Sequence, residues 1–203
     1  MADGGYMFEF LDVTALDALN EMVEPERSYY EHVIINGDTG LYKAMPWDSK
    51  RQILLNHKGE IEECTLIASH LNNIDPKTLR TVMRSENGWP GAQQEANNNS
   101  SDLGIAQVNP KVWDEEFRKV GVQLNWDDVR DDVCANLFVA GVILSRRLAQ
   151  TDNVIEGIAN YHRYATKDNK TFHYQYRFKA FGHYQNIEKE YGQWLKSQIL
   201  TIR

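Results

Sequence analysis

The stretch Asp75-Pro76-Lys77-Thr78-Leu79-Arg80-Thr81-Val82-Met83-Arg84-Ser85-Glu86-Asn87-Gly88 contains a complete helix signal. Asp75 suits an N-cap, because its carboxylate can accept from the free N–H groups of the first turn. Pro76 suits the first helical position, where no N–H is needed. Leu79, Val82, Met83 and Glu86 then fall at i, i+3, i+4 and i+7, on one face. Gly88 and Pro90 stop the run. A carboxylate therefore ends an apolar stripe. Burial disfavours its charged form, and so does the negative end of the helix dipole. A glutamate so placed can act as a general acid. A solvent-facing Glu86 at a frayed helix end fits this helix equally well, and is the commoner arrangement.

Helical periodicity extends in both directions. Upstream, Cys64, Ile67, Ala68 and Leu71 recur at helical spacing, and Asn72-Asn73 ends that helix. Downstream, residues 91–101 are rich in Gln, Asn and Ser and read as a loop. Residues 103–108 are a short segment with Gly104 and β-branched side chains, and 113–120 read as a short helix. A longer helix is expected from Asp127, with Val129, Val133, Leu137, Gly141, Leu144 and Leu148 on one stripe. Another begins over 155–161, and Tyr191, Leu195, Ile199 and Ile202 share a face of a terminal helix. The fold class is mainly α with little strand. Residues 1–58 carry mixed signals: a short helix over 14–23, a turn at 36–40, Trp47 after Pro46, and Ile53-Leu54-Leu55 in a further helix. The expected division is an N-terminal extension over 1–58, a main domain over 59–187 and a C-terminal helix over 188–203.

Composition narrows the function. Five Trp, ten Tyr and seven Phe argue for a packed core rather than disorder. A formal net charge of −7 argues against nucleic acid as a partner, because duplex binding needs a basic face. It also gives no general attraction to anionic membranes or wall polymers, so binding to either requires a specific groove. No apolar run approaches the roughly 18 residues of a membrane span. The start, Met1-Ala2-Asp3-Gly4-Gly5-Tyr6, shows neither a basic nor an apolar signal-peptide region. The histidines show no His-Glu-x-x-His spacing, and His162, His173 and His183 are too far apart for one helix face. No phosphate-binding glycine loop and no Gly-x-Ser-x-Gly elbow is present, so no cofactor and no metal is expected. Cys64 and Cys134 are either two buried thiols or one disulfide; composition alone leaves both open.

Three ordered segments resemble the lytic transglycosylases of the SLT, lysozyme-like superfamily. Arg84-Ser85-Glu86-Asn87-Gly88 resembles the end of that family's catalytic helix, with Asn87 where serine is usual. Ser100-Ser101-Asp102-Leu103-Gly104-Ile105-Ala106-Gln107-Val108-Asn109 resembles its Gly-Leu-Met-Gln-Ile-Asn segment and the Ser/Asp lead-in. Asn160-Tyr161-His162 stands in the place of its Ala-Tyr-Asn motif, followed by Arg163-Tyr164 instead of Ala-Gly. Asn136, with Gly141 and Leu144, resembles its Asn-Ile helix. The resemblance covers roughly residues 60–185 and is nearest to the small transglycosylases of secretion, conjugation and pilus systems. That branch often carries cysteines where Cys64 and Cys134 stand, which implies a disulfide and an oxidising, periplasmic or exported setting.

The resemblance implies a lysozyme-like α+β fold and a single-acid mechanism. Ordinary glycosidases use two carboxylates. Here Glu86 would protonate the glycosidic oxygen between N-acetylmuramic acid and N-acetylglucosamine, then take the proton of the muramic C6 hydroxyl. That oxygen would attack C1 and give a 1,6-anhydro product. Tyr161 would hydrogen-bond near Glu86 and hold it. Gln107, Asn160, His162 and Ser101 would contact the sugar. Asn109, Asn136 and Gly104 would brace the loop. Each also has an ordinary structural explanation: Tyr161 as a core tyrosine, Gln107 as a loop-to-backbone hydrogen bond, His162 as a structural histidine. Asp102 and Glu95 are the nearby candidates for a second carboxylate, with a solvated loop role the better expectation. If Asp102 held a water, the outcome would be hydrolysis. The partner expected is the peptidoglycan glycan strand, with a secretion or conjugation complex beyond it. The competing functions are a hydrolytic muramidase and a non-catalytic wall-binding component.

Overall fold

A computed structural model describes residues 49–96, 99–163, 166 and 170–201. The helix expected over 14–23, the turn at 36–40, Trp47, Tyr164 and Ile202 lie outside the described residues. The element order is α1 (Ser49–Asn56), α2 (Lys58–Leu71), α3 (Pro76–Glu86), β1 (Gln93–Ala96), β2 (Ser100–Leu103), α4 (Pro110–Lys119), α5 (Trp126–Asp131), α6 (Val133–Leu148), α7 (Val154–His162) and α8 (Lys170–Thr201). The fold is mainly α and lysozyme-like, with one two-stranded sheet among the described residues.

The helix α3 forms as its sequence dictates. Asp75 accepts from the Lys77 N–H at 2.8 Å, and Pro76 occupies the first turn. Asn87 ends it in the left-handed region, at φ 59° and ψ 33°. Asparagine tolerates that region better than other side chains do. Leu79, Val82 and Met83 are fully buried. They join one core with Ile61 and Cys64 of α2, Leu137 and Leu144 of α6, and Ile158 of α7. Leu54 of α1 is buried in the same cluster.

The Cys64–Cys134 pair is a disulfide, with its Cα atoms 4.9 Å apart. It ties α2 to the first turn of α6. Both helices are buried along that contact: Ile61, Ala68, Leu137 and Ala140 are each 3% exposed or less.

Two expectations are corrected. The stretch 91–101 is not a plain loop: β1 and β2 pair antiparallel, with Gln93 opposite Leu103 and Ala96 opposite Ser100. Its Gln and Ser side chains give no strand signal, because they are exposed or half-buried. Strand preference depends strongly on such context. The pairing is anchored instead at buried Leu103, whose N–H and C=O exchange hydrogen bonds with Val108 at 2.9 Å. The single helix expected from Asp127 to Leu148 is two. Asp132 between them has extended backbone, φ −94° and ψ 125°, and its side chain accepts from the Ala135 N–H at 2.7 Å. Capping there starts α6 afresh. The apolar stripe survives the break, with Val129 and Val133 both buried.

The helix α8 runs 32 residues and crosses both α3 and α7. His173, Tyr176, Ala180 and Ile187 are its buried stripe. Ion pairs fix it to α3, Lys77 to Glu188 and Arg84 to Glu190, each at 2.8 Å. Among the described residues no helix is long and apolar enough to cross a membrane.

Candidate active site

The end of α3 opens into a cleft of about 560 Å³, lined by Glu86, Glu95, Asp102, Gln107, Asn109, Trp113, Arg147, Tyr161, His162 and Arg163 among others. Its walls are therefore α3, the hairpin, the 104–107 turn, α4, α6 and the end of α7. Glu86 lies in the wall with a side chain only 11% exposed. The carboxylate that ends the apolar stripe is thus held in the cleft, not frayed into solvent.

Its hydrogen-bond partner is Tyr176 of α8, whose hydroxyl donates to Glu86 Oε1 at 2.6 Å. Tyr161 does not make that bond. Its hydroxyl donates to the Ala106 carbonyl at 2.8 Å, so it clamps the turn beside Glu86. Burial, and then the negative charge of Glu86, push both phenols well above their ordinary range, so both remain donors. Lys179, one turn after Tyr176, donates to the Ser85 carbonyl at the C-terminal end of α3.

The turn between β2 and α4 is built on Asn136. Its side chain accepts from the Ala106 N–H at 2.8 Å and donates to the Leu103 and Val129 carbonyls at 2.9 and 2.7 Å. Gly104 has φ +70°, and a side chain there would collide with the Asn136 amide. Gln107 takes a left-handed conformation, φ 52°, and its side chain donates to the Gly104 carbonyl at 2.7 Å. Gly88 allows the close approach: a Cβ there would meet the Gly104 and Ile105 carbonyls and the Gln107 amide. The end of α3 and the turn therefore lock face to face. Asn109 braces the base of the hairpin, donating to Ser100 Oγ at 2.8 Å and Asp102 Oδ1 at 2.7 Å.

Asp102 is half-buried in the same cleft. Burial raises its carboxyl above the usual range; the Asn109 bond opposes this, and the charge of Glu86 adds to it. Glu95 lines the cleft as an exposed group. The structure thus brings Glu86, Gln107, Tyr161 and His162 together, with Asp102 and Glu95 beside them. Ser101 is placed otherwise, with its hydroxyl accepting from Gln93 Nε2 at 3.2 Å on the hairpin. Asn160 is buried within α7, 8% exposed.

His162 lies flat on Tyr176, ring centroids 4.4 Å apart and planes within 4°. Its Nδ1 is 3.5 Å from Glu86 Oε1. Arg163, next in the chain, is tied to α8 by His173, which is buried. One ring nitrogen of His173 is 2.7 Å from the Arg163 carbonyl, and the other is 3.0 Å from Glu156 Oε1. Arg177 pairs with the second oxygen of Glu156 at 3.0 Å.

Tyr176 belongs to the aromatic-rich stretch 172–178, which in the sequence reads as core and groove rim or as a surface that could stack on sugars, with no residue in it marked as a partner of Glu86. It is 90 positions from Glu86, and its one local signal is helical spacing with Ala180 and Ile187. Arg147 over the Trp113 ring, 4.7 Å from its centroid, is a second pair in the cleft that no motif marks.

A family model for the transglycosylase SLT domain matches residues 63–184. That span covers more than half of the chain and includes Glu86, the 104–107 turn, Asn136, α7 and Tyr176. A search of curated proteins finds no match to the chain. The ordered motifs, the buried carboxyl in its cleft and the family match agree, and the chain belongs to the transglycosylase SLT domain family, whose members are lytic transglycosylases acting on peptidoglycan.

Proposed function

We propose that this protein cleaves the β-1,4 bond between N-acetylmuramic acid and N-acetylglucosamine and forms a 1,6-anhydro-muramic end, with Glu86 as the acid and then the base. One observation carries the reading: Glu86 ends α3 inside a cleft, with one of its oxygens already occupied by the Tyr176 hydroxyl. As Glu86 gives its proton to the leaving oxygen, it becomes a carboxylate. Hydrogen bonds to a charged acceptor are stronger than those to a neutral one. The Tyr176 bond therefore strengthens as the transition state forms, which is the condition for catalysis rather than mere binding. The resulting carboxylate then accepts the C6 hydroxyl proton, and that oxygen closes on C1. Gln107, Tyr161 and His162 line the sugar path.

Asp102 supports a second reading. A half-buried carboxyl shares the cleft with Glu86, and a water held by it would turn the reaction into hydrolysis. Digestion of purified sacculi followed by mass analysis of the products separates the two. Anhydro-muropeptides mean transglycosylation, and reducing ends mean hydrolysis. Glu86→Gln is expected to abolish either activity with folding intact. Wild-type protein inert on sacculi would leave a wall-binding component.

We further propose the division 1–58, 59–187 and 188–203, and a role in opening the wall locally for a secretion or conjugation apparatus, from outside the cytoplasm. The disulfide supports an oxidising setting. Its two cysteines stand where the apparatus-associated branch that the sequence resembles often carries them.

A further inference from the structure

His162 stands where the family motif has an amide side chain, and an amide does not titrate. It sits at the mouth of the cleft with Nδ1 3.5 Å from Glu86 Oε1. Its ring is fixed by parallel stacking on Tyr176, the same residue that hydrogen-bonds Glu86. The charged groups facing it are Glu86 from α3, Asp102 from β2 and Lys179 from α8. Tyr176 lies under the ring, and Arg163 follows it in the chain and lines the same cleft. Two carboxylates against one nearby lysine make this a place that favours an added proton.

We propose that Glu86 and His162 hold a single proton between them, and that loss of this proton sets the upper pH limit of glycan cleavage. The second half rests on Glu86 being the general acid. Two arrangements carry the same proton count: a carboxylic acid beside a neutral imidazole, and a carboxylate beside an imidazolium. They interconvert when one proton moves between Nδ1 and the carboxyl. Only the first can protonate the glycosidic oxygen. The hydrogen bond to Glu86 holds the imidazole above its ordinary value against the opposing effect of burial, and the negative charges of Glu86 and Asp102 add to it. The proton is therefore retained to a higher pH than a lone imidazole would retain it. Once the imidazole has lost it, neither group carries the proton and no acid is left. His162 acts through Glu86 and is a positioning residue.

Ring ¹H–¹⁵N spectra of the full chain, titrated in the wild type and in Glu86→Gln, test the pairing. The His162 transition is expected to move to lower pH in E86Q. An identical titration in both proteins overturns the pairing. The pH profile of sacculus digestion by the wild type and by His162→Asn tests the consequence. The basic limb is expected to shift toward acid in H162N, whatever happens to the maximal rate. An unmoved basic limb overturns the pH-limit claim. Wild-type protein that is inert at every pH removes the cleavage reading and the pH limit with it, while the spectra still decide whether the proton is shared.

Discussion

The Tyr176 hydroxyl donates to Glu86 Oε1 at 2.6 Å, across 90 positions of chain and between two helices that pack on each other. The bond joins the carboxyl that ends α3 to the second turn of a 32-residue helix. It is the most direct support that any side chain gives Glu86 among the described residues. Removing only the hydroxyl tests it. A hydrogen bond to a charged group contributes about 1.5–3 kcal/mol, and each 1.4 kcal/mol or so is a tenfold change in rate. Tyr176→Phe is expected to slow sacculus digestion by roughly 10- to 100-fold. Its circular dichroism should match the wild type. An unchanged rate would remove Tyr176 from the site.

Asn136 satisfies three backbone groups with one buried amide, which is 1% exposed. Asn136→Ala leaves the Ala106 N–H and two carbonyls without those partners. The loss is expected to be on the order of 3 kcal/mol, or roughly 6–12 °C in Tm for a domain of this size. Asn136→Asp should do no better, because it offers oxygens to two carbonyls. Thermal melting of both variants decides this. A drop within a degree or two would mean that water replaces the amide and the turn is not held by it.

The helical core was legible because burial and helical periodicity coincide there. Leu79, Val82 and Met83 announce α3, and the structure buries all three. The polar hairpin was not legible, since Gln93, Gln94, Ser100 and Ser101 carry no alternation and their pairing depends on Leu103 and Val108. The break at Asp132 was hidden because the apolar stripe continues on both sides of it. Within the site, Glu86, Gln107 and Asn136 could be found because each lies in a short contiguous motif. Tyr176 could not, because only the crossing of α8 over α3 brings it to Glu86.

The disulfide closes a loop of 70 residues between α2 and α6. On the chain-entropy view a loop of that length stabilises by about 4 kcal/mol. Wild type melted with a phosphine reductant, and a Cys64→Ala/Cys134→Ala double variant, should therefore both show a lower Tm. Urea titration should show a lower midpoint in each. Equal stability with and without reductant would mean that the α2–α6 packing alone holds these helices and the bridge adds nothing.

Asp102 gives a pH dependence whose sign follows from its surroundings. Burial pushes its carboxyl above the usual value, the Asn109 hydrogen bond opposes that, and the charge of Glu86 adds to it. A carboxyl with a raised folded-state pKa binds its proton more tightly when folded than when unfolded. Its contribution to stability is therefore complete below the unfolded value, near 3.8. It is lost as pH climbs through the raised folded value. Asp102→Asn keeps an oxygen for the Asn109 amide and removes the titration. The variant should gain stability relative to the wild type as pH rises from about 4 toward neutral, with the difference smallest at the acid end. Urea unfolding of both proteins at several pH values across that range measures it. A difference that is flat with pH, or that grows toward acid, would show that Asp102 is not held at a raised value by the cleft. The same variant bears on the chemistry. If Asp102 positioned a water for hydrolysis, D102N would lose reducing-end products; if Glu86 works alone, its anhydro products should persist.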